Sequence, residues 1–286
     1  MLSRQLVLLQ KGFEKEFKKR YRARVKEKFG KSPFTKNLFS VLEEFVLRGG
    51  KRIRPFFLFL GAGLTDMQRV PAGFWDFAIG IELVHAGMLI HDDIMDKALL
   101  RRGKPAIHRM LGSAHAIVLG DIAWSMGFDF LHEAPLTVSN QIKSAAISEF
   151  VAASILVGEG QALDTEYLEK KHLSLKELYL MYYLKTATYS VEAPLVMGAM
   201  LGGKTRHPKV YRTIGKKLGI LFQLQDDILD IKEDKKSFLK KIKWDINQEK
   251  HKLYNDALRD IACSPLPART KILLQEVTDF FYARTS

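Results

Sequence analysis

Cysteine is almost absent from this 286-residue sequence, which contains only Cys263. A single cysteine excludes an intramolecular disulfide and any metal site built from several cysteines. Charge-free stretches are short as well, since those at residues 55–65 and 193–203 fall well below the ~20 apolar residues that span a bilayer. The N-terminus lacks a signal-peptide cleavage pattern. We therefore expect a soluble protein of the reducing cytoplasm.

Linker-like segments are missing too, because no stretch is rich in Gly/Ser or Pro and no repeat occurs. A single domain over residues 1–286 is the simplest prediction. Apolar residues mostly recur at intervals of three and four and clean strand alternation is absent, so we predict an all-α fold. The first helix carries the apolar stripe Leu2, Leu6, Leu9, Phe13 and Phe17. Further helices, the fourth kinked at Pro194, are predicted over residues 71–96, 114–131, 140–158, 175–201, 208–231 and 245–262.

Acidic residues are outnumbered, since 45 Lys and Arg against 32 Asp and Glu give a net charge of +13. This balance fits nucleic acid, an anionic membrane surface or acidic small-molecule substrates, and does not choose among them. The basic residues of the first helix fit a membrane-binding face or, as we favour, a solvated helix face.

Two aspartate clusters share one spacing: HDDIMD at residues 91–96 and QDDILD at residues 225–230. In each, the first and third aspartates are four apart, which places them on one face of a helix. Each cluster ends a long apolar run, where three like charges repel unless a cation neutralises them. An acidic helix end is commonly just solvated surface, but two copies after core-like sequence argue against that interpretation.

Carboxylate-only ligation indicates a hard cation such as Mg²⁺ rather than zinc, which prefers His and Cys. Magnesium usually bridges one or two carboxylates to substrate phosphates. Residues suited to those phosphates stand in GGKRIRP (residues 49–55) and RRGKP (residues 101–105), because arginine binds phosphate bidentately and lysine adds a point charge. An isolated basic loop is normally solvated, yet the placement of these two around the aspartates predicts a diphosphate site.

Several segments together resemble the trans-prenyltransferase (polyprenyl synthetase) family, which includes farnesyl and geranylgeranyl diphosphate synthases. They are GGKRIRP, ELVHAGMLIHDDIMD with RRGKPAIH, GDIAWSMGFDFL, GQALD, LKTA and FQLQDDILD, in the family's order between about residues 45 and 250. The resemblance implies a helical isoprenoid synthase bundle around a central cavity. It implies 1′-4 condensation of isopentenyl diphosphate with an allylic diphosphate (dimethylallyl, geranyl or farnesyl). It also implies a homodimer with no nucleic-acid partner and at most peripheral membrane association.

The resemblance assigns the aspartates to three Mg²⁺ ions. Asp92 and Asp96 would bind two of the ions and Asp226 the third. The remaining aspartates of the two clusters would support them directly or through water: Asp93, Asp227 and Asp230.

The resemblance also assigns the substrate-binding residues. Isopentenyl diphosphate would be bound by Lys51, Arg54, His85 and Arg102. The allylic diphosphate would be held by Arg101, Lys185 and Lys241, with Lys250 matched to the same lid segment, and the reacting centre would be lined by Thr186 and Gln223. Purely structural roles for three of these residues stay open. His85 fits a histidine of the core, and Gln223 fits an ordinary buried amide. The hydroxyl of Thr186 could be hydrogen-bonded to a helix carbonyl.

The segment after the second cluster departs from the family pattern. The glycines expected there are replaced, for example by Ile231-Lys232-Glu233, and only about 55 residues follow Asp230. We therefore expect an altered loop and a reduced C-terminal lid. Two other functions remain: a class I terpene cyclase, or a subunit of a heteromeric prenyl synthase.

Product length is predicted from the helix that precedes the first cluster. In the family, positions four, five and eight before the first aspartate help to set the pocket floor; here they are Met88, Gly87 and Val84. None carries the bulky ring typical of farnesyl-type enzymes. We expect a C20 product, with C25 or longer as the alternative, unless neighbouring helices close the pocket instead.

Overall fold

A computed structural model of the chain describes residues 1–203, 207–232, 238–241 and 245–284, with the backbone alone at residues 230–232, 240 and 241. Over these residues the regular secondary structure is helical apart from one short hairpin, which confirms the all-α prediction. The helices are α1 Leu2–Lys28, α2 Pro33–Leu47, α3 Ile53–Gly61, α4 Ala72–Met95, α5 Ile107–Leu111, α6 Ser113–Glu133, α7 Asn140–Leu168, α8 Leu175–Tyr182, a π-helix Tyr183–Glu192, α9 Ala193–Gly202, α10 Pro208–Lys232, a 3₁₀ helix Phe238–Lys241, α11 Ile246–Cys263 and α12 Ala268–Ala283.

The predicted helices are present, although α7 runs to Leu168, well past the predicted end. Sequence patterns missed α2, α3, α5, α12 and the hairpin β1 (Leu100–Arg101) and β2 (Lys104–Pro105). The start of α2 carried a usable signal, because Ser32 and Thr35 form a capping box around a proline. The hairpin turn has positive φ at Arg102 (53°) and Gly103 (73°). Hairpin turns of this kind are usually signalled by Asn-Gly rather than Arg-Gly.

The chain forms two compact units. The first unit comprises Gln5–Pro55 and Asp66–Thr137, and the second comprises Met1–Arg4, Phe56–Thr65 and Val138–Ser286. The first aspartate cluster belongs to the first unit and the second cluster to the second unit. The organisation as one domain stays a prediction.

Glycines bring α4 and α6 into close contact in the first unit. A Cβ atom at Gly80 would lie 2.7 Å from the carbonyl oxygen of Gly127, and one at Gly87 would lie 2.6 Å from that of Gly120. Such distances leave no room for side chains, so the two backbones approach directly. One turn after Gly87, His91 fills the space beside Gly120 and lies 3.2 Å from the carbonyl oxygen of Ile117. This packing fixes the end of α4 that carries the first aspartate cluster.

The π-helix Tyr183–Glu192 interrupts the long helical run of the second unit. It begins well before Pro194, which lies in the first turn of α9, so the interruption starts upstream of the predicted kink. Close packing surrounds the π-helix, since a Cβ at Gly160 of α7 would lie 2.3 Å from the backbone nitrogen of Lys185, and one at Gly219 of α10 would lie 2.4 Å from Cα of Ala187. π-Helical segments are rare and are frequently found at functional sites.

Two helices in the described part of the chain are long and apolar enough to cross a membrane, judged by length and composition alone. They are α4, with a mean hydropathy of 1.3, and α7, with 1.2. Within the protein, 83% of the apolar window of α4 is buried, as in a core helix, against 28% for α7.

Candidate active site

The first aspartate cluster closes α4. Asp92 is half-buried and Asp96, the C-terminal cap of the helix, is exposed. Asp93 between them is fully buried, and the guanidinium group of Arg101 donates two hydrogen bonds to its Oδ1, one of them of 2.9 Å. The other oxygen, Oδ2, is buried with no hydrogen-bond partner among the described residues. The three aspartates therefore differ in burial, and the middle one is paired with Arg101.

Four basic residues predicted from sequence are gathered in the first unit. Gly49 and Gly50, with φ of 99° and 131°, adopt a conformation that favours glycine, and a Cβ at Gly50 would lie 2.9 Å from the guanidinium group of Arg102. Lys51 follows in the same loop and Arg54 lies in the first turn of α3. The fourth, His85, lies on α4.

These four residues are here called the basic cluster (Lys51, Arg54, His85 and Arg102), and the charges of Arg54 and Arg102 act on other members of it. Burial, followed by Arg54 and Arg102, lowers the pKa of His85 well below its usual value. Burial and Arg52 lower the pKa of Arg102 to about 10. Cations repel when they converge, so this arrangement is suited to an anion with several negative charges.

Arg52, the middle basic residue of GGKRIRP, has a structural role. Arg52 is buried, has a φ of 51°, and donates a 2.6 Å hydrogen bond to buried Glu82 of α4. Its guanidinium also lies 4.4 Å above the ring of Phe13. Arg52 therefore anchors the loop that carries Lys51 and the start of α3, which carries Arg54. Sequence reasoning did not separate it from its neighbours; the one available signal was an acidic residue, Glu82, within the apolar run of α4.

The second aspartate cluster lies near the end of α10. Asp226 forms an ion pair with Arg284, a buried residue directly after α12 whose guanidinium lies 5.0 Å above the ring of Phe222. Gln225 donates its side-chain amide to the backbone carbonyl of Arg284. The side chain of Asp230 lies outside the described residues. Arg284 was missed because nothing in its local sequence connects it with a cluster so far upstream.

Asp227 accepts hydrogen bonds from two neutral donors. The hydroxyl of Tyr182 donates to Oδ2 at 2.5 Å, and the amide of Gln223 donates to Oδ1 at 2.8 Å. Gln223 in turn accepts a 2.7 Å hydrogen bond from the hydroxyl of Thr186. Thr186 and Gln223, which sequence reasoning placed at one reacting centre, are therefore directly bonded.

The predicted lysines of the second unit have partners of their own. Lys185 forms a 2.8 Å ion pair with Asp164, the last residue of GQALD, to which sequence reasoning gave no role. Lys250 on α11 lies 4.3 Å above the ring of Tyr282. The side chain of Lys241 lies outside the described residues.

Comparisons with known proteins bear on this arrangement. The polyprenyl synthetase family profile matches residues 35–259, a range that contains both aspartate clusters, the basic cluster and Thr186. The chain belongs to the polyprenyl synthetase family.

Named relatives include synthases with different product lengths. The geranylgeranyl diphosphate synthase of Saccharolobus solfataricus is 34% identical over 221 residues, which cover 76% of this chain and 66% of the relative. The farnesyl diphosphate synthase of Escherichia coli is 36% identical over 199 residues, which cover 66% of this chain and 64% of the relative. Each alignment spans a little under two thirds of the curated relative. The crystal structure of the geranyltransferase of Helicobacter pylori, complexed with magnesium and isoprenyl diphosphate, is 25% identical with a TM-score of 0.75, covering 96% of this chain and 97% of that one.

The residues expected to set product length in this polyprenyl synthetase point in different directions. Gly87 faces the backbone of α6, as described above, and buried Val84 lies against Gly127 of the same helix. Met88 is half-buried. A ring at Gly87 would push α4 and α6 apart, which differs from the tunnel-facing position expected for it. The part of all three residues in product length stays a prediction, and Met88 is the position at which to test it.

Whether these residues suit magnesium can be judged from their donor atoms. Within the described ranges, no three His, Cys, Asp or Glu side chains form a ready-made metal site. The two clusters nevertheless offer only carboxylate oxygens, which magnesium prefers. Asp93 keeps a buried oxygen without a hydrogen bond, and Arg284 supplies positive charge at Asp226. Both observations fit a site that requires cations.

Proposed function

We propose that this member of the polyprenyl synthetase family is a magnesium-dependent prenyl diphosphate synthase. It would join isopentenyl diphosphate to an allylic diphosphate in 1′-4 condensations. The observation that carries the proposal is the basic cluster, because its cations are suited to bind a diphosphate. The family resemblance places the diphosphate of isopentenyl diphosphate at these residues. The relatives named above act as diphosphate synthases.

The acidic residues of the site would bind Mg²⁺, and the basic residues would bind the two diphosphates. Bound Mg²⁺ would neutralise negative charge on the departing diphosphate. Three Mg²⁺ ions are proposed to be held by Asp92, Asp96 and Asp226. Asp226 would release Arg284 when it binds its ion. Arg101 and Lys185 are proposed to hold the allylic diphosphate, and the basic cluster to hold isopentenyl diphosphate.

The reaction balances without a protein nucleophile. The allylic carbon–oxygen bond breaks and the diphosphate leaves with the electron pair. The double bond of isopentenyl diphosphate then forms the new carbon–carbon bond, and the departed diphosphate accepts the proton that is lost. The chain's part is to bind both diphosphates, to exclude water from the allylic cation, and to present oxygen atoms to that cation. Thr186 and Gln223 are suited to the last task.

Four finer statements belong to this proposal. A C20 product is supported by the geranylgeranyl relative and by the absence of an aromatic side chain at Met88, although the farnesyl relative is equally similar. A homodimer is supported by exposed apolar residues on α7, Val151 (39%) and Ile155 (61%). The cytoplasm is proposed from the low cysteine content, and a single domain from a family match that extends into both units.

The test is incubation of the purified protein with Mg²⁺, labelled isopentenyl diphosphate and, in turn, dimethylallyl, geranyl and farnesyl diphosphate. Chromatography should show longer prenyl diphosphates, mainly C20. Cyclic hydrocarbons formed without uptake of isopentenyl diphosphate would instead identify a terpene cyclase, and activity only after addition of a second subunit would identify a heteromeric synthase. In the same assay Met88→Ala should lengthen the product, and an unchanged product would remove Met88 from the pocket floor.

A further inference from the structure

Four side chains of the second unit form a continuous hydrogen-bonded chain. It runs from Tyr182 to Asp227 (2.5 Å), from Asp227 to Gln223 (2.8 Å) and from Gln223 to Thr186 (2.7 Å). Tyr182 is the last residue of α8 and Thr186 lies one turn later in the π-helix. Gln223 and Asp227 are likewise one turn apart on α10. The chain thus joins two helical segments through side chains alone.

The chemistry of the members allows one arrangement of protons. An ionised carboxylate only accepts hydrogen bonds, so the NH₂ group of Gln223 must face Asp227 and its carbonyl oxygen must face Thr186. The hydroxyl of Thr186 therefore donates its proton to Gln223. Any further partner of that hydroxyl meets lone pairs rather than a proton. An oxygen in this state is suited to stabilise the positive charge of an allylic cation.

Tyr182 is placed to keep this arrangement fixed. It is 1% exposed and packs in an apolar cluster that includes Ala187 and Leu224. Its hydroxyl must donate in this contact, because an ionised carboxylate only accepts hydrogen bonds. If the hydroxyl were removed, Oδ2 of Asp227 would lose this donor, and the carboxylate would be freer to rotate away from Gln223.

We propose that Tyr182 is a positioning residue for the condensation, because its hydroxyl holds Asp227 so that Asp227 and Gln223 orient the hydroxyl of Thr186. The sequence motifs gave Tyr182 no part. The inference rests on the proposed function and deepens it, since it concerns how the reacting centre is kept in one orientation.

The test is Tyr182→Phe, which keeps the ring and removes one hydroxyl. We expect kcat to fall about tenfold while the KM values of both diphosphates change less than twofold, as for an interaction that matters in the transition state. The melting temperature should fall by about 2–4 °C. The matched control is Tyr21→Phe, because Tyr21 is equally buried and donates a single 2.8 Å hydrogen bond, to the carbonyl of Phe39 in the first unit. It should lose similar stability and keep its kcat.

A double variant tests the route through Asp227. If Tyr182 acts through that carboxylate, Tyr182→Phe should lower kcat little further once Asp227→Asn is present. The proposal is overturned if the wild type is active and Tyr182→Phe keeps its kcat, if the control loses kcat equally, or if the two substitutions multiply independently. A wild-type protein that elongates no primer would instead refute the proposed function itself.

Discussion

The two aspartate clusters have the same spacing and different surroundings. In the first, the middle residue Asp93 is paired with Arg101, which follows a few residues later in the hairpin. In the second, the first residue Asp226 is paired with Arg284 beyond α12, and the middle residue Asp227 accepts hydrogen bonds from Tyr182 and Gln223. Equivalent positions in a motif therefore do not have equivalent parts. The middle aspartates hold protein groups in place, whereas Asp92, Asp96 and Asp226 are the ones proposed to bind metal.

The largest expected effect is loss of turnover when a proposed metal ligand is removed from either cluster. Asp92→Ala and Asp226→Ala should each lower kcat by about 10³-fold or more, because each removes a carboxylate that positions a catalytic cation. Assays with labelled isopentenyl diphosphate and saturating Mg²⁺ measure this. Asp256→Ala, which breaks a surface ion pair with Arg259, is the matched control and should keep full activity. Wild-type turnover that persists in excess chelator would contradict a metal role for both clusters.

The second prediction compares the middle aspartates in the metal-free protein. Asp93→Asn should lower the free energy of unfolding by about 2–3 kcal/mol, since it leaves Arg101 partly buried beside a neutral group. Asp227→Asn should cost about 1–2 kcal/mol, because it weakens the hydrogen bonds from the neutral donors Tyr182 and Gln223. Urea unfolding followed by circular dichroism measures both variants. Equal losses, or a larger one for Asp227→Asn, would show that the two environments are energetically alike.

The third prediction tests whether the basic cluster binds isopentenyl diphosphate rather than the allylic substrate. Arg54→Ala should raise the KM for isopentenyl diphosphate about tenfold or more, with kcat and the KM for the allylic substrate nearly unchanged, because uniform binding is lost. Arg22→Ala, at an exposed residue paired with Glu43, serves as the control in the same steady-state assay. A similar rise for both substrates would mean that the basic cluster does not belong to one diphosphate.

The smallest expected effect concerns the arginine at the second cluster. Arg284→Gln should tighten Mn²⁺ binding about tenfold, since the metal no longer displaces a guanidinium from Asp226, and tenfold corresponds to about 1.4 kcal/mol. Electron paramagnetic resonance of free Mn²⁺ measures the affinity without an activity assay. Arg259→Gln, which removes a comparable pairing with Asp256 at the surface, should leave binding unchanged. Weaker binding by Arg284→Gln would show that Arg284 supports the metal site rather than competing for it.

Hydrophobic periodicity and motif order predicted the all-α fold, most of the long helices and the family, because these depend on spacing along the chain. The family resemblance, rather than spacing, placed Thr186 with Gln223, and the structure shows these two side chains hydrogen-bonded. Short elements were not predicted from the sequence. Helix α3 is only nine residues long, and the hairpin turn has Arg102 at a position where asparagine is usual. The conformation of those turns depends on contacts that a local pattern does not contain.

By itself, the sequence determined that six aspartates would stand in two clusters with helical spacing, because the period of the α-helix places residues four apart on one face. The tertiary structure alone decided which atoms those aspartates meet. Arg284 reaches Asp226 and Tyr182 reaches Asp227 from distant parts of the chain, and the backbone of α6 fills the space that a side chain at Gly87 would need. Periodicity fixes the direction of a side chain on its own helix, whereas the partner in that direction is supplied by the packing of other helices.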